Sequence, residues 1–268
     1  MQPPHKPVGA LLRSWRERRR LSQLELALRA DISTRHLSFV ETGRAKPSST
    51  LILQLSEHLD IPLRERNRLL LAGGFAPLYP QHQLTETPMA AISEAINRIL
   101  TAHEPYPAVV IDHKWELVAG NDAVAVLTDG ADSQLLEPPV NVLRLSLHPK
   151  GLAPGIVNLG EWRAHLLNRL DRQIAATDDD SLRALRVELR DYPTGADNFE
   201  GRDTNALLVP LRYRTTRGSE LRLFSTTTVF GTPLDVTVAE LAIEAFYPAD
   251  TDTANALLHS QYELAGAG

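Results

Sequence analysis

The side chains equipped to bond a partner are concentrated in the first quarter of the chain. Ser22-Gln23, Ser33-Thr34-Arg35-His36, Ser38-Phe39 and the loop Arg44-Ala45-Lys46 gather hydroxyls, an amide, two guanidiniums, an imidazole and an ammonium. These groups donate to anionic oxygen. The charge distribution points the same way: residues 1–75 carry 13 Lys+Arg against 7 Asp+Glu, net +6, and the remainder carries 15 against 26, net −11. A basic head on an acidic body fits a polyanion-binding module, although two domains whose surfaces differ by chance would show the same asymmetry.

Catalytic chemistry has little to build on. The chain has no cysteine, which removes disulfides, thiolate metal sites and cysteine nucleophiles. It has no phosphate-binding glycine loop, no HExxH and no GxSxG. Its nine histidines show no metal-ligand spacing. Asp178-Asp179-Asp180 precedes a helical pattern and reads as a solvated cap rather than a metal site. Ser225 and His148 have no third partner to make a triad. The expectation is a non-enzyme without catalytic residue, metal or cofactor. An enzyme of unknown reaction that carries the basic head as an appendage is the alternative.

The elements that must position the basic groups read as five short helices over residues 8–72. Val8, Leu11, Leu12 and Trp15 form an apolar stripe, with Arg13, Arg16 and Arg18–Arg20 opposite. Ser22 and Glu25 form a capping box for the second helix. Asp31-Ile32 makes a turn in which aspartate tolerates the left-handed conformation. Ser33 caps the third helix. There Ile32, Leu37 and Val40 face inward, and Thr34, Arg35, Ser38 and Phe39 face outward. Gly43 closes it. Leu51, Ile52, Leu55 and Leu59 mark a fourth helix, and Pro62 opens a fifth at its first position. Glu41 is expected to pair with an internal arginine.

This pattern, from Ser22-Gln23 through Ser33-Thr-Arg-His-Leu-Ser-Phe-Val-Glu41-Thr-Gly43-Arg44, resembles the lambda-repressor-like, or XRE-type, helix-turn-helix. The resemblance implies that Gln23 bonds a phosphate and that Ser33, Thr34, Arg35, Ser38 and Phe39 reach base edges in the major groove. Arg35 suits a bidentate contact to guanine. Phe39 suits either a thymine methyl or packing toward the first helix. His36 is a phosphate or solvent residue, and Arg44 and Lys46 are phosphate contacts.

Ala76-Pro-Leu-Tyr-Pro80 and the polar residues to Pro88 read as a boundary. A helix at 89–102, with Ile92, Ile96, Ile99 and Leu100 on one face, either packs on the second domain or pairs two copies. Strand-like runs come next at 108–111 and 115–118, with a short helix from Asp122 capped by Asn121. Amphipathic helices lie at 161–175 and 181–190, and further strand-like runs at 206–214, 220–230 and 241–247. The expected domains are 1–78 for the helix-turn-helix, 79–103 for linker and connecting helix, and 104–268 for a second domain. The fold class is multidomain: an all-α five-helix head, then an α+β, PAS-like domain with an antiparallel sheet.

Three strings resemble the ligand-binding domain of MmyB-like transcription regulators: Asn141–Leu152 with Ile156-Val-Asn158, Phe224–Thr237, and Glu240–Asp250. The resemblance implies a transcriptional regulator whose PAS-like domain senses a small apolar, fatty-acid-like molecule. Trp162, Phe224, Val229 and Phe230 are candidate pocket walls or plain core, and His148 meets a ligand's polar head or bonds backbone. The expected partners are double-stranded DNA and a second copy of the chain, two half-sites being needed for adequate contact. A constitutive DNA-binding dimer without ligand is a further alternative. The amino-terminal stretch MQPPHKPVGA is no signal peptide and no apolar run spans a membrane, so a cytoplasmic location is expected.

Overall fold

A computed structural model describes residues 6–177, 179–193 and 208–266. The start of the expected strand at 206–207, Asp178 and the first five residues lie outside this set. The chain forms two units: Met1–His82 with Pro233–Ala239, and Gln83–Thr232 with Glu240–Gly268.

The first unit contains α1 (Val8–Arg18), α2 (Gln23–Arg29), α3 (Thr34–Glu41), α4 (Ser49–His58) and α5 (Leu63–Ala72). Serine starts three of them: the hydroxyls of Ser22, Ser33 and Ser48 accept from the backbone N–H three residues on. All five end alike. Arg20, Asp31, Gly43, Asp60 and Gly74 take positive φ. The next residue's N–H then reaches back to an orphan carbonyl: Leu21 to Arg16, Ile32 to Ala27, Arg44 to Phe39, Ile61 to Ser56 and Phe75 to Leu70. Pro62 sits one position earlier than expected, at the N-cap of α5. Leu12, Leu26, Leu37, Ile52, Leu55, Leu59 and Leu69 make the core. Gly9 lets α1 and α3 touch backbone to backbone, since a Cβ there would lie 2.0 Å from the Val40 carbonyl oxygen.

The second unit is built on α6 (Ala90–Ala102), β1 (Ala108–Ile111), β2 (Leu117–Gly120), α7 (Ala125–Thr128), α8 (Val142–Leu147), α9 (Leu159–Thr177), α10 (Asp180–Asp191), β3 (Leu211–Arg214) and β4 (Glu220–Val229). It continues, after α11 (Val236–Glu240), with β5 (Ala242–Pro248) and α12 (Thr251–Gly266). The five strands form one antiparallel sheet in the order β2-β1-β5-β4-β3. Strand alternation gives each face its own core. On one face Ile96 and Leu100 of α6 pack with Val110 and Ile243. On the other, Leu143, Trp162, Leu166, Leu170, Leu185 and Leu257 pack with Leu211, Tyr213, Leu221 and Leu223.

Three local expectations need correction. The strand expected at 115–118 begins instead at Leu117, because buried Trp115 takes φ 65 and turns the chain. Asn121 does not cap the helix after it. Its side chain accepts from the Ala108 N–H and donates to the carbonyls of Leu100 and Tyr106. The run ending at Arg214 is extended only from Leu211 among the described residues.

Candidate nucleic-acid interface

The helix-turn-helix surface rests on a buried ion pair. Arg16 of α1 donates to both carboxylate oxygens of Glu41, from Nε at 2.6 Å and Nη2 at 2.8 Å. A third donor, Nη1, binds the Leu21 carbonyl at 2.8 Å. The Gln23 amide donates to the same carboxylate at 2.7 Å. One carboxylate therefore holds the start of α2 and the end of α3 against α1. Hydrogen bonding to Glu41 raises the Arg16 pKa despite its burial, so the guanidinium stays charged.

Much of the basic stripe on α1 is engaged internally. Arg18 and Arg19 lie over the Trp15 ring. Arg19 also donates to the Leu59 and Asp60 carbonyls that end α4. Arg13 pairs with Glu17. The cations turned toward a polyanion are thus fewer than the net charge suggests.

On α3, Arg35 and His36 are exposed, and Thr34, Ser38 and Phe39 are half-buried. Leu37 and Val40 are sealed beneath. The Ser33 hydroxyl accepts from the His36 N–H at 3.1 Å, so it caps the helix. The Arg35 guanidinium lies 5.3 Å from the Phe39 ring centroid. Arg44 and Lys46 are exposed in the loop after α3. Among the described residues no carboxylate holds Arg35, Arg44 or Lys46. Gln23, Thr34, Arg35, Ser38, Phe39, Arg44 and Lys46 belong to two consecutive helices and the loop after them. This arrangement can donate to phosphate while presenting a guanidinium and a ring to base edges.

The candidate ligand residues are not brought together. Trp162 is buried in the inner core, its Nε1 donating to the Ser146 hydroxyl at 3.1 Å. Phe224 stacks on Tyr247, with centroids 5.3 Å apart, and alternation turns it to the face opposite Leu223. Val229 is 64% exposed. Phe230, the next residue, packs instead with the α6 core. These residues do not share one face, so they cannot all line one wall. The His148 ring accepts from the Lys150 N–H at 3.1 Å and meets Tyr192 edge-on. The Tyr192 hydroxyl is held by Glu188, and burial pushes its pKa up.

A polar cluster on the inner face was missed. Arg169 of α9 pairs through both terminal nitrogens with buried Glu244 of β5, and Thr227 of β4 bonds both partners. The Trp115 ring lies 4.9 Å from the guanidinium. Its Nε1 donates to Gln173 at 2.6 Å. A glutamate inside an apolar strand is the one sequence signal for this cluster. Its partner lies 75 residues away, beyond the reach of local pattern.

Residues 92–258 match the family described as the MmyB-like transcription regulator ligand binding domain, more than half of the chain. The chain belongs to that family. Residues 12–66 match the helix-turn-helix family. This MmyB-like regulator is therefore a DNA-binding transcription regulator with a ligand-binding domain. No curated protein matches it. Among solved structures it is similar to the clp gene regulator ClgR from Corynebacterium glutamicum, at 27% identity over 37% of this chain and 90% of that one, with a TM-score of 0.22. It is also similar to an RNA-binding light-oxygen-voltage receptor, at 14% identity over 96% of this chain and 63% of that one, with a TM-score of 0.27. Both likenesses are remote. Among the described residues no helix is long and apolar enough to cross a membrane.

Proposed function

We propose that α3 enters the DNA major groove and reads bases through Thr34, Arg35, Ser38 and Phe39, while Gln23, His36, Arg44 and Lys46 bond the backbone. The observation that carries this reading is Arg35 itself: an exposed guanidinium, on a helix capped at both ends, that no carboxylate among the described residues neutralises. The finer functional reading is a homodimer on two half-sites whose second unit, a PAS-like sensor, binds an apolar, fatty-acid-like molecule. The antiparallel sheet with helices on both faces supports that class of sensor. Such a ligand alters DNA binding only by binding the DNA-competent and incompetent forms unequally.

Titration of the full chain on matched and scrambled duplexes tests the reading. Arg35→Ala should cost about 1–3 kcal/mol on the matched duplex and little on the scrambled one. Arg44→Ala should weaken both and flatten the salt dependence by about one unit of slope. Equal losses on both duplexes for Arg35→Ala would remove Arg35 from the reading set. Native mass spectrometry of freshly purified protein reports retained ligand and copy number together.

A further inference from the structure

We infer that Arg35 and Phe39 act as one reading unit, in which the ring positions the guanidinium and the pair recognises a guanine and a thymine on adjacent base pairs. The inference rests on the proposal that α3 enters the major groove. It goes further by assigning Phe39 a role through Arg35 and by naming the base-pair step that the two fit.

Phe39 is not a core residue. It is half-buried, yet it is absent from the side chains packed against the apolar centre of the first unit, where Val8, Leu11, Leu21, Ile32, Ala45, Leu53 and Phe75 make up the margin. The group on its ring is Arg35, one helical turn earlier and 5.3 Å from the centroid. A free arginine must lose rotamer freedom to make a bidentate contact. A guanidinium resting on an aromatic face has lost part of it already, and the contact is attractive by about 0.5–1 kcal/mol at an exposed site.

The platform beneath is rigid. Leu37 and Val40 are buried, α3 is seated on Gly9 of α1, and the Phe39 carbonyl accepts from both Arg44 and Ala45 N–H. Residues four apart on a helix are displaced by about 6 Å along its axis, and successive base pairs are about 3.4 Å apart. A helix inclined in the groove therefore brings the two side chains to consecutive pairs. Guanine offers O6 and N7 to a planar fork, and thymine offers a methyl group to an apolar ring edge.

The test starts with selection of binding sites from random duplexes by the full chain, followed by titration on the selected site. A guanine with a thymine on the neighbouring pair should be enriched. Replacing that thymine by deoxyuridine, or that guanine by 7-deazaguanine, should each weaken binding on the order of tenfold. Phe39→Leu should abolish the methyl preference and also reduce the 7-deazaguanine effect, although Arg35 is intact. Phe39→Tyr should retain the 7-deazaguanine effect. The inference fails if Phe39→Leu leaves the guanine preference untouched, or if deoxyuridine binds like thymidine in the wild type. The nucleotide analogues keep the test valid should Phe39→Leu fold poorly. Selection of no sequence at all would overturn the base-reading proposal itself. A sequence lost on Arg35→Ala but indifferent to the methyl group would overturn only the pairing.

Discussion

Among the described residues, each unit holds a bidentate arginine–glutamate pair whose carboxylate is buried, and the surroundings of the two pairs differ. In the first unit Arg16 and Glu41 lie 25 residues apart and join two helices, with Gln23 as third member. In the second, Arg169 and Glu244 lie 75 residues apart and join a helix to the sheet's central strand, with Thr227 as third member. A buried pair contributes little net stability, because desolvation offsets the attraction, but it fixes orientation. In the first unit the group so oriented is Gln23, on the candidate DNA surface. In the second it is the lie of α9 across the sheet. The same device thus serves a surface in one unit and an interior in the other.

Breaking each pair tests that contrast and should produce the largest effects. Glu41→Ala leaves Arg16 buried without its counter-charge and should destabilise the first unit by about 3–5 kcal/mol; Glu244→Ala leaves the half-buried Arg169 without one, where water can reach it, and should cost the second unit less. Replacing both partners with apolar residues, Arg16→Met with Glu41→Leu, should restore most of that loss but leave DNA affinity reduced, because Gln23 is released. Equal DNA binding by the apolar double variant and the wild type would show that the pair does not serve the surface. Fluorescence separates the units: Trp15 reports the first, and Trp115 and Trp162 report the second.

A smaller effect is expected where backbones touch. Gly9→Ala drives a methyl into the Val40 carbonyl oxygen. The helices must part, at a cost of about 1–3 kcal/mol. Thermal unfolding followed in a variant with Trp15 as its only tryptophan measures it; an unchanged midpoint would mean that α1 and α3 can slide apart freely.

The mildest separation of the units is by acid. Burial, and then the Arg169 charge, lower the His165 pKa below its ordinary 6.5. The neutral form is favoured in the fold, so this contribution is complete above about pH 6.5 and is lost as pH falls through the lower folded value. In the first unit Glu25, lowered by the Ser22 N–H, keeps its contribution until pH drops below the ordinary 4.5. Between about pH 6.5 and 5 the second unit should therefore weaken before the first. His165→Gln should remove that difference; a melt of the second unit equally pH-dependent with glutamine at 165 would trace it to another group.

The same difference in range explains what could be read from sequence. Helix signals in the first unit are local: Ser22 with Glu25, Ser33 before Leu37, Asp31 in the turn, Gly43 at the end. They suffice for five helices and for which side of α3 faces out. Arg20 escaped, since nothing marks an arginine for positive φ. In the second unit the periodicity reveals α9 and α10, but α8 is too short and α12 too weakly patterned to stand out. The sheet order depends on pairings such as Val110 with Ile243, far apart in the chain. Trp115 reads as a strand residue because its ring favours strands, and only tertiary packing overrides that preference. For the pocket candidates, apolar type was legible but face was not. Val229 and Phe230 are neighbours in sequence, and the pleat sends them to opposite sides.

Residues Pro233–Ala239 belong to the first unit, where Asp235 accepts from the His82 backbone at 3.2 Å and pairs with its ring, and Val236 donates to the Pro80 carbonyl at 2.8 Å. A ribosome delivers a chain from its amino end. The helical head therefore emerges early yet waits for its last piece until almost everything else has been translated. A fragment cut after His82 would carry α1 to α5 and still leave that histidine and the Pro80 carbonyl to water.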